Sequence, residues 1–185
     1  KMVWLMSYPN SGTSYTMMSV LRSSNYSTAT NYGAEVTASG DNSLPIYPRH
    51  SEGPYWLGLS GKLGEPRPLP FDYILVKTHC GSRCVSCPPS EYVETLDSYI
   101  DACRRTSGYM PPHQEKQEFL YPTSRIHKAI HLIRHPLHNM VARFHLDIKN
   151  KQQKNDQKWL SKHPNDKDGF RKWCQEHDDL YSDEE

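Results

Sequence analysis

Three segments of the chain repeat one pattern, in which a short apolar strand runs through a polar or basic turn into a helix. The predicted units are residues 2–6 with a helix from about 15, residues 73–76 with a helix at about 91–105, and residues 129–133 with a helix from about 136. Strands that alternate with helices in this way are typical of α/β domains. The pattern therefore predicts a central parallel sheet covered by helices.

The predicted helices carry apolar residues on one face. Ser90 is the expected N-cap of the second helix, and Trp173 is expected to point inward from a last helix over residues 170–179. In the third unit, Pro136 suits the first helical turn. The apolar face of that helix is predicted to contain Leu137, Met140, Val141, Phe144 and Ile148.

Length and composition limit what the rest of the chain can be. Its 185 residues suffice for a single domain over 1–185. Residues 23–70 are rich in Ser, Asn, Gly and Pro and are predicted to form a long surface insertion, and residues 151–185 a polar helical tail. Because the chain begins at Lys1 within an apolar strand pattern, we expect a fragment or a processed product.

The charge and hydropathy patterns exclude several classes of partner. Lys and Arg number 22 against 21 Asp and Glu, a formal net charge of +1. Bulk charge therefore supplies no attraction to nucleic acid or to an anionic membrane. No apolar run approaches the roughly 20 residues of a membrane helix, so no membrane span is expected in this segment.

The turn after the first strand has the composition of a phosphate-binding loop. Residues 9–14, Pro-Asn-Ser-Gly-Thr-Ser, are expected to direct backbone N–H groups and hydroxyls towards one point at the N-terminus of a helix. The nucleoside-triphosphate P-loop is excluded because no Lys follows Gly12. An ordinary capped Ser/Gly turn is the alternative, and Arg134 favours the phosphate site. This arginine follows the third strand, where ligands bind in open α/β sheets, and its guanidinium can hold a second phosphate.

With these motifs in order, the chain resembles the sulfotransferases that use 3′-phosphoadenosine 5′-phosphosulfate (PAPS). The family's 5′-phosphosulfate loop, Tyr-Pro-Lys-Ser-Gly-Thr-Thr-Trp, is matched at residues 8–15, its Lys-Thr-His at residues 77–79, and the Arg-Asn-Pro of its 3′-phosphate motif at residues 134–136. The resemblance implies a three-layer, P-loop-like α/β domain. The nucleotide-binding residues that it implies are Asn10, Ser11, Gly12, Thr13, Ser14, Tyr15, Arg134 and Arg143.

The resemblance also implies a mechanism. An acceptor hydroxyl attacks sulfur while 3′-phosphoadenosine 5′-phosphate leaves, with His79 as the base and Lys77 as the positive charge beside the sulfonate. The sequence does not identify the acceptor molecule, and we expect a carbohydrate hydroxyl. No metal is expected at this site.

The chain departs from the family pattern at several positions. Asn10 replaces the lysine that contacts the leaving group, and Ala142 replaces a serine that contacts the 3′-phosphate, so Arg143 is expected to substitute for it. The family's C-terminal basic-glycine segment has no counterpart, which predicts a domain that is incomplete at its C-terminus. These departures leave open a second hypothesis, a nucleotide-binding relative that has lost catalysis.

Three of the five cysteines are crowded after the second strand. Cys80, Cys84 and Cys87 have the spacing that holds an iron–sulfur cluster in radical S-adenosylmethionine enzymes. A structural zinc site or reduced structural cysteines are further alternatives. We expect at least one of the three in a disulfide and no bound metal, because an oxidising lumen such as the Golgi also agrees with the single glycosylation sequon at Asn25.

Overall fold

The computed structural model describes seven stretches of the chain. They are residues 1–7, 10–32, 35–36, 42–46, 67–80, 95–109 and 116–179. The described residues form two compact units. The first contains those up to Cys80 together with 95–133, and the second contains 134–179.

The first unit is built on a six-stranded sheet. Its strands and those of a separate antiparallel hairpin are β1 (Met2–Ser7), β2 (Thr28–Thr30), β3 (Glu35–Val36), β4 (Asn42–Pro45), β5 (Ile74–Thr78), β6 (Arg105–Tyr109), β7 (Lys116–Leu120) and β8 (Ile126–Leu132). The sheet order is β3-β4-β2-β5-β1-β8, and β6 pairs with β7. Only β3 runs antiparallel to its neighbour in the sheet; the other five strands are parallel. The predicted α/β fold with a central parallel sheet is confirmed.

Helices α1 (Thr13–Ser24) and α2 (Leu96–Arg104) contact opposite faces of this sheet. Successive strand residues point to opposite faces. Lys77 of β5 contacts the first turn of α1, whereas the neighbouring Thr78 donates to the carbonyl oxygen of Cys103 in α2 at 2.6 Å. The unit therefore has the three-layer arrangement of helix, sheet and helix.

The core on the α2 side contains a buried polar network. The indole N–H of Trp4 donates to the Tyr121 hydroxyl at 2.7 Å, and that hydroxyl donates to Oδ1 of Asn31 at 3.2 Å. Burial raises the pKa of Tyr121 to about 12, so the phenol stays neutral and remains a donor. Because buried polar groups are costly without partners, the network fixes Asn31 at the end of β2.

The second helix and the predicted insertion differ from expectation. Helix α2 begins at Leu96, where Thr95 and Ser98 form a capping box, and not near residue 91. The expected cap, Ser90, lies outside the described residues. Strands β2, β3 and β4 all come from residues 23–70, and every residue of β2 is buried. This part of the predicted surface insertion is therefore sheet, formed by strands too short to show periodicity.

The second unit contains three helices, α3 (Pro136–Gln153), α4 (Gln157–Lys162) and α5 (Lys167–Asp179). Phe144, Ile148 and Trp173 form its buried core, so the prediction that Trp173 points inward is confirmed. The prediction of the apolar face of α3 is wrong for the first turns of the helix. The residues of that face that are exposed are Leu137, Met140 and Val141. Within this unit the apolar partners of α3 pack on its Phe144–Ile148 half. None of the helices among the described residues is long and apolar enough to cross a bilayer.

Candidate active site

The loop between β1 and α1 turns sharply through two residues with left-handed backbone. Asn10 has a φ of 67° and Gly12 a φ of 99°. Asparagine and glycine are the residues that adopt this conformation at least cost. Gly12 occupies the N-cap of α1 and offers no side-chain hydrogen bond to the first turn, and no described atom lies within 4 Å of the position that a Cβ would take. The described residues therefore leave room at the N-terminus of α1, whose backbone N–H groups and dipole suit an anion.

The hydroxyl residues at the start of α1 have different roles. Thr13 is buried, and its Oγ1 is hydrogen-bonded to Oγ of Ser7 at the end of β1. Ser14 is exposed and accepts a hydrogen bond from Lys77. Ser11 is half-buried, and Tyr15 is largely exposed. Thr13 thus anchors the loop to β1, while Ser14 lies beside the positive charge.

Lys77 places a positive charge next to this loop. It lies near the carboxyl end of β5 with a largely buried side chain. Its Nζ donates to Oγ of Ser14 at 3.2 Å and lies 5.8 Å from the centroid of the Tyr32 ring, within the range of a cation–π contact. An ammonium group held between a hydroxyl and an aromatic face is well placed to meet an anion at the helix N-terminus.

His79 is held in one tautomer by the neighbouring strand. Its Nδ1 lies 2.9 Å from the carbonyl oxygen of Ser7 and 3.2 Å from the Ser7 hydroxyl oxygen. Because a carbonyl oxygen only accepts, Nδ1 carries the proton, and the neutral ring has its lone pair on Nε2. The backbone N–H of His79 donates to the Tyr32 hydroxyl at 2.7 Å. The ring is thus oriented as a base at Nε2.

The parallel register explains why these side chains meet. Leu5 of β1 is paired with Lys77 of β5, and Thr30 of β2 is paired with the same lysine. The carboxyl ends of β1, β5 and β2 therefore lie at one edge of the sheet, which brings Tyr32 and His79 to the loop after β1.

Sequence reasoning missed Ser7 and Tyr32. Tyr32 contacts both predicted catalytic residues, since its ring centroid also lies 5.4 Å from that of His79. The signal that could have found it was the Thr-Ala-Thr segment of β2, a short strand two residues before it. Ser7 could have been found as the last residue of the apolar strand that leads into the loop.

The remaining predicted nucleotide residues belong to the second unit. Arg134 lies between β8 and α3, and Arg143 lies on α3 one residue after Ala142; both arginines are exposed. The contacts described above join the loop, Lys77 and His79, all in the first unit. The expected binding of a 3′-phosphate by Arg134 and Arg143 stays a prediction from the sequence.

The predicted disulfide is confirmed. Cys80 is bonded to Cys103 of α2, directly after His79. A cysteine in a disulfide cannot supply a thiolate ligand, so the iron–sulfur hypothesis loses one of its three ligands in this oxidised form. Cys84 and Cys87 lie outside the described residues. Among the residues that are described, no group of three His, Cys, Asp or Glu side chains is arranged to hold a metal ion.

Comparison of the chain with protein-family models, with curated proteins and with solved structures finds no match. Function must therefore be argued from the residues themselves. The strongest feature for that purpose is the cluster of the β1–α1 loop, Lys77 and His79.

Proposed function

We propose that the chain is a sulfotransferase that moves a sulfonate group from PAPS to an acceptor hydroxyl. The observation that carries the proposal is the hydrogen bond from Lys77 Nζ to Ser14 Oγ, because it joins two of the three motifs of the family resemblance. A buried lysine beside an uncapped helix N-terminus favours a polyanionic ligand. The P-loop-like character of the fold belongs to the same proposal.

In this proposal each phosphate of the nucleotide is assigned to its own sequence motif. The backbone N–H groups of residues 11–14 bind the 5′-phosphosulfate, with the hydroxyl of Ser14 as a further donor. Arg134 binds the 3′-phosphate and Arg143 supports it, as the Arg-His-Pro motif implies. The supporting chemistry is the bidentate match between guanidinium and phosphate.

His79 is the proposed base for the transfer. The acceptor oxygen forms a bond to sulfur, the bond between sulfur and the bridging phosphate oxygen breaks, and the acceptor proton moves to Nε2 of His79. 3′-Phosphoadenosine 5′-phosphate then leaves with the bonding electron pair. The Nδ1 contact to Ser7 supports this role, since it leaves the lone pair of the neutral ring on Nε2.

The proposed acceptor is a carbohydrate hydroxyl, and the proposed compartment is an oxidising lumen. The Cys80–Cys103 disulfide supports an oxidising compartment, because disulfides persist there and are rare in reducing ones. Secreted and lumenal glycans offer abundant hydroxyls to such an enzyme. No nucleic acid is proposed as a partner.

A nucleotide-binding relative without catalysis is the second candidate. Asn10 favours it, because its amide can donate a hydrogen bond to the leaving group but carries no charge. The left-handed backbone at this position suits asparagine better than lysine, so the substitution agrees with the loop geometry. This candidate keeps the proposed nucleotide binding and removes the transfer step.

Two measurements test the proposal. Calorimetric titration should show binding of 3′-phosphoadenosine 5′-phosphate and much weaker binding of ATP and of adenosine 5′-phosphate. Arg134→Ala should weaken the binding of 3′-phosphoadenosine 5′-phosphate by roughly 1.5–3 kcal/mol, the value of a charge-assisted hydrogen bond. Arg171→Ala in α5 is the control and should leave this affinity unchanged. Equal affinity for nucleotides with and without the 3′-phosphate would overturn the Arg134 assignment.

Transfer is tested separately with radiolabelled PAPS and a panel of sugar, phenol and steroid hydroxyls. Label in a sugar product supports the enzyme, and label only in a phenol or steroid product would contradict the carbohydrate preference. Tight nucleotide binding without transfer to any acceptor would favour the non-catalytic relative.

A further inference from the structure

We propose that Asn25 is an N-glycosylation site, modified when the chain is made in the secretory pathway. The residues Asn25-Tyr26-Ser27 form an Asn-x-Ser sequon, the pattern that accepts N-linked oligosaccharides. A sequon alone is a short pattern that recurs by chance. The structure supplies three further observations, on the exposure of the acceptor, on the partner of the serine and on the redox state of the chain.

Asn25 presents its side chain at the surface. It forms the C-cap of α1 with a φ of 59°, and its backbone N–H donates to the carbonyl oxygen of Leu21 at 3.1 Å. Asparagine is one of the few residues that take this conformation readily, so the backbone is satisfied without the side chain. The residue is exposed, so its side-chain amide is accessible from solvent.

Ser27 shows when the modification must occur. In the folded chain this serine is buried: its hydroxyl donates to the carbonyl oxygen of Arg67 and its backbone N–H to that of Pro68 at 2.9 Å. The sequon requires that hydroxyl. Since Arg67 lies 40 residues further along the chain, Ser27 is available only before this later segment pairs with it. The glycan is therefore added to the nascent chain, before folding covers the serine.

The Cys80–Cys103 disulfide is an independent observation that points to the same compartment. Both cysteines belong to the first unit, which also contains the sequon. Disulfides form in the lumen through which secreted chains pass, and N-linked glycans are added there. The inference thus does not depend on the proposed sulfotransferase activity.

The position of Asn25 is compatible with any ligand in the β1–α1 loop. Helix α1 has 12 residues, so its two ends are about 18 Å apart at 1.5 Å per residue. Asn25 lies at the C-terminal end, whereas Gly12 and Ser14 lie at the N-terminal end. A glycan on Asn25 is expected to leave nucleotide affinity unchanged.

In the glycosylation step, one bond forms and one bond breaks. Nδ2 of Asn25 forms a bond to the anomeric carbon of an oligosaccharide carried on a lipid diphosphate. The bond between that carbon and the diphosphate oxygen breaks, the lipid diphosphate leaves, and the amide loses one proton to the base of the transferring enzyme.

The first experiment uses the chain secreted from mammalian cells. Peptide N-glycosidase in heavy-oxygen water should convert Asn25 to a heavy-oxygen aspartate, read by peptide mass spectrometry, and should leave the exposed Asn150 unchanged. Asn25→Asp is the matched variant, because aspartate also tolerates the left-handed backbone. It should lack the glycan and keep the melting temperature. A secreted, disulfide-bonded wild-type chain without a glycan on Asn25 would overturn the proposal.

The second experiment tests the order of events in microsomes opened with detergent, in which an added chain can reach the lumenal transferring enzyme. A chain being translated should be glycosylated, whereas the folded, disulfide-bonded chain added afterwards should not. The same chain added after reduction and unfolding should be glycosylated. Equal modification of the folded chain would overturn the inference that burial of Ser27 blocks the sequon.

Discussion

The backbone N–H of His79 donates to the hydroxyl of Tyr32, so a residue that follows β2 holds the residue that follows β5. The Tyr32 ring also lies under the ammonium group of Lys77. One tyrosine thus contacts both of the proposed catalytic side chains. This arrangement makes Tyr32 a positioning residue, which acts through His79 and Lys77 and need not contact substrate.

Tyr32→Phe should lower kcat while leaving nucleotide affinity nearly unchanged. The substitution removes the acceptor for the His79 N–H but keeps the ring beside Lys77, so only the base is misplaced. Loss of orientation on this scale is expected to cost about tenfold in kcat, read from initial rates and calorimetry. Tyr73→Phe is the matched control, since its hydroxyl is hydrogen-bonded to Nε2 of His127 at 3.1 Å and not to the proposed catalytic residues. Equal effects of the two variants would contradict a positioning role.

Lys77→Met should weaken nucleotide binding and lower turnover together. Methionine keeps most of the apolar stem but removes the charge that lies 3.2 Å from the Ser14 hydroxyl oxygen. We expect a loss of about 1.5–3 kcal/mol in binding, the range for a hydrogen bond to a charged group, measured by calorimetry. Lys149→Met, on the exposed part of α3, serves as the control and should change neither quantity. Unchanged affinity in Lys77→Met would remove the lysine from the site.

Gly169→Ala tests packing in the second unit. A Cβ at this position would lie 1.8 Å from the carbonyl oxygen of Pro164, and backbone atoms cannot yield as a flexible side chain does. Overpacking of this kind is expected to destabilise the unit by about 1–3 kcal/mol, measured by denaturant unfolding followed through tryptophan fluorescence, to which Trp159 and Trp173 of this unit contribute. Gly12→Ala is the contrasting variant. Gly12 is exposed, and a Cβ there would meet no described atom, so the substitution strains only the left-handed backbone. A Gly169→Ala chain as stable as wild type would contradict the close approach.

The parts of the fold that the sequence predicted are those with long enough apolar runs. Strands β1, β5 and β8 each carry such a run, and their order along the chain was read correctly. Strand β2 has only three residues, Thr-Ala-Thr, and its burial comes from pairing with β4 and β5 rather than from its own hydropathy. Because β2 was missed, Tyr32 was missed with it.

The candidate site also has a part that the sequence predicted and a part that it could not predict. Lys77 and His79 were predicted from a motif of adjacent residues, and the structure places both beside the β1–α1 loop. The proton position on His79 could not be predicted, since it depends on the carbonyl of Ser7, 72 residues earlier in the chain. Contacts between distant segments, and not residue types, determine which nitrogen can act as the base.

His79→Ala should lower turnover by about 10²–10⁴ and leave nucleotide affinity nearly intact, because a base acts on the acceptor and not on the donor nucleotide. Initial rates and calorimetry on the same preparation separate the two effects. His127→Ala, on the exposed part of β8, is the matched control. Sulfonate transfer at the wild-type rate by the His79→Ala protein would remove this histidine from the mechanism.

Asn10→Lys should raise kcat if charge on the leaving group limits the reaction. A cation at this position meets negative charge that grows only in the transition state, so it is expected to accelerate transfer more than it tightens binding. The left-handed backbone of Asn10 opposes the change, because lysine pays about 1–2 kcal/mol there. Asn10→Ala therefore serves as the control for backbone strain without charge. A gain in kcat for Asn10→Lys over Asn10→Ala, in single-turnover rates, supports an enzyme with a weakened leaving-group contact. If both variants are equally slow, the residue at this position does not limit the transfer.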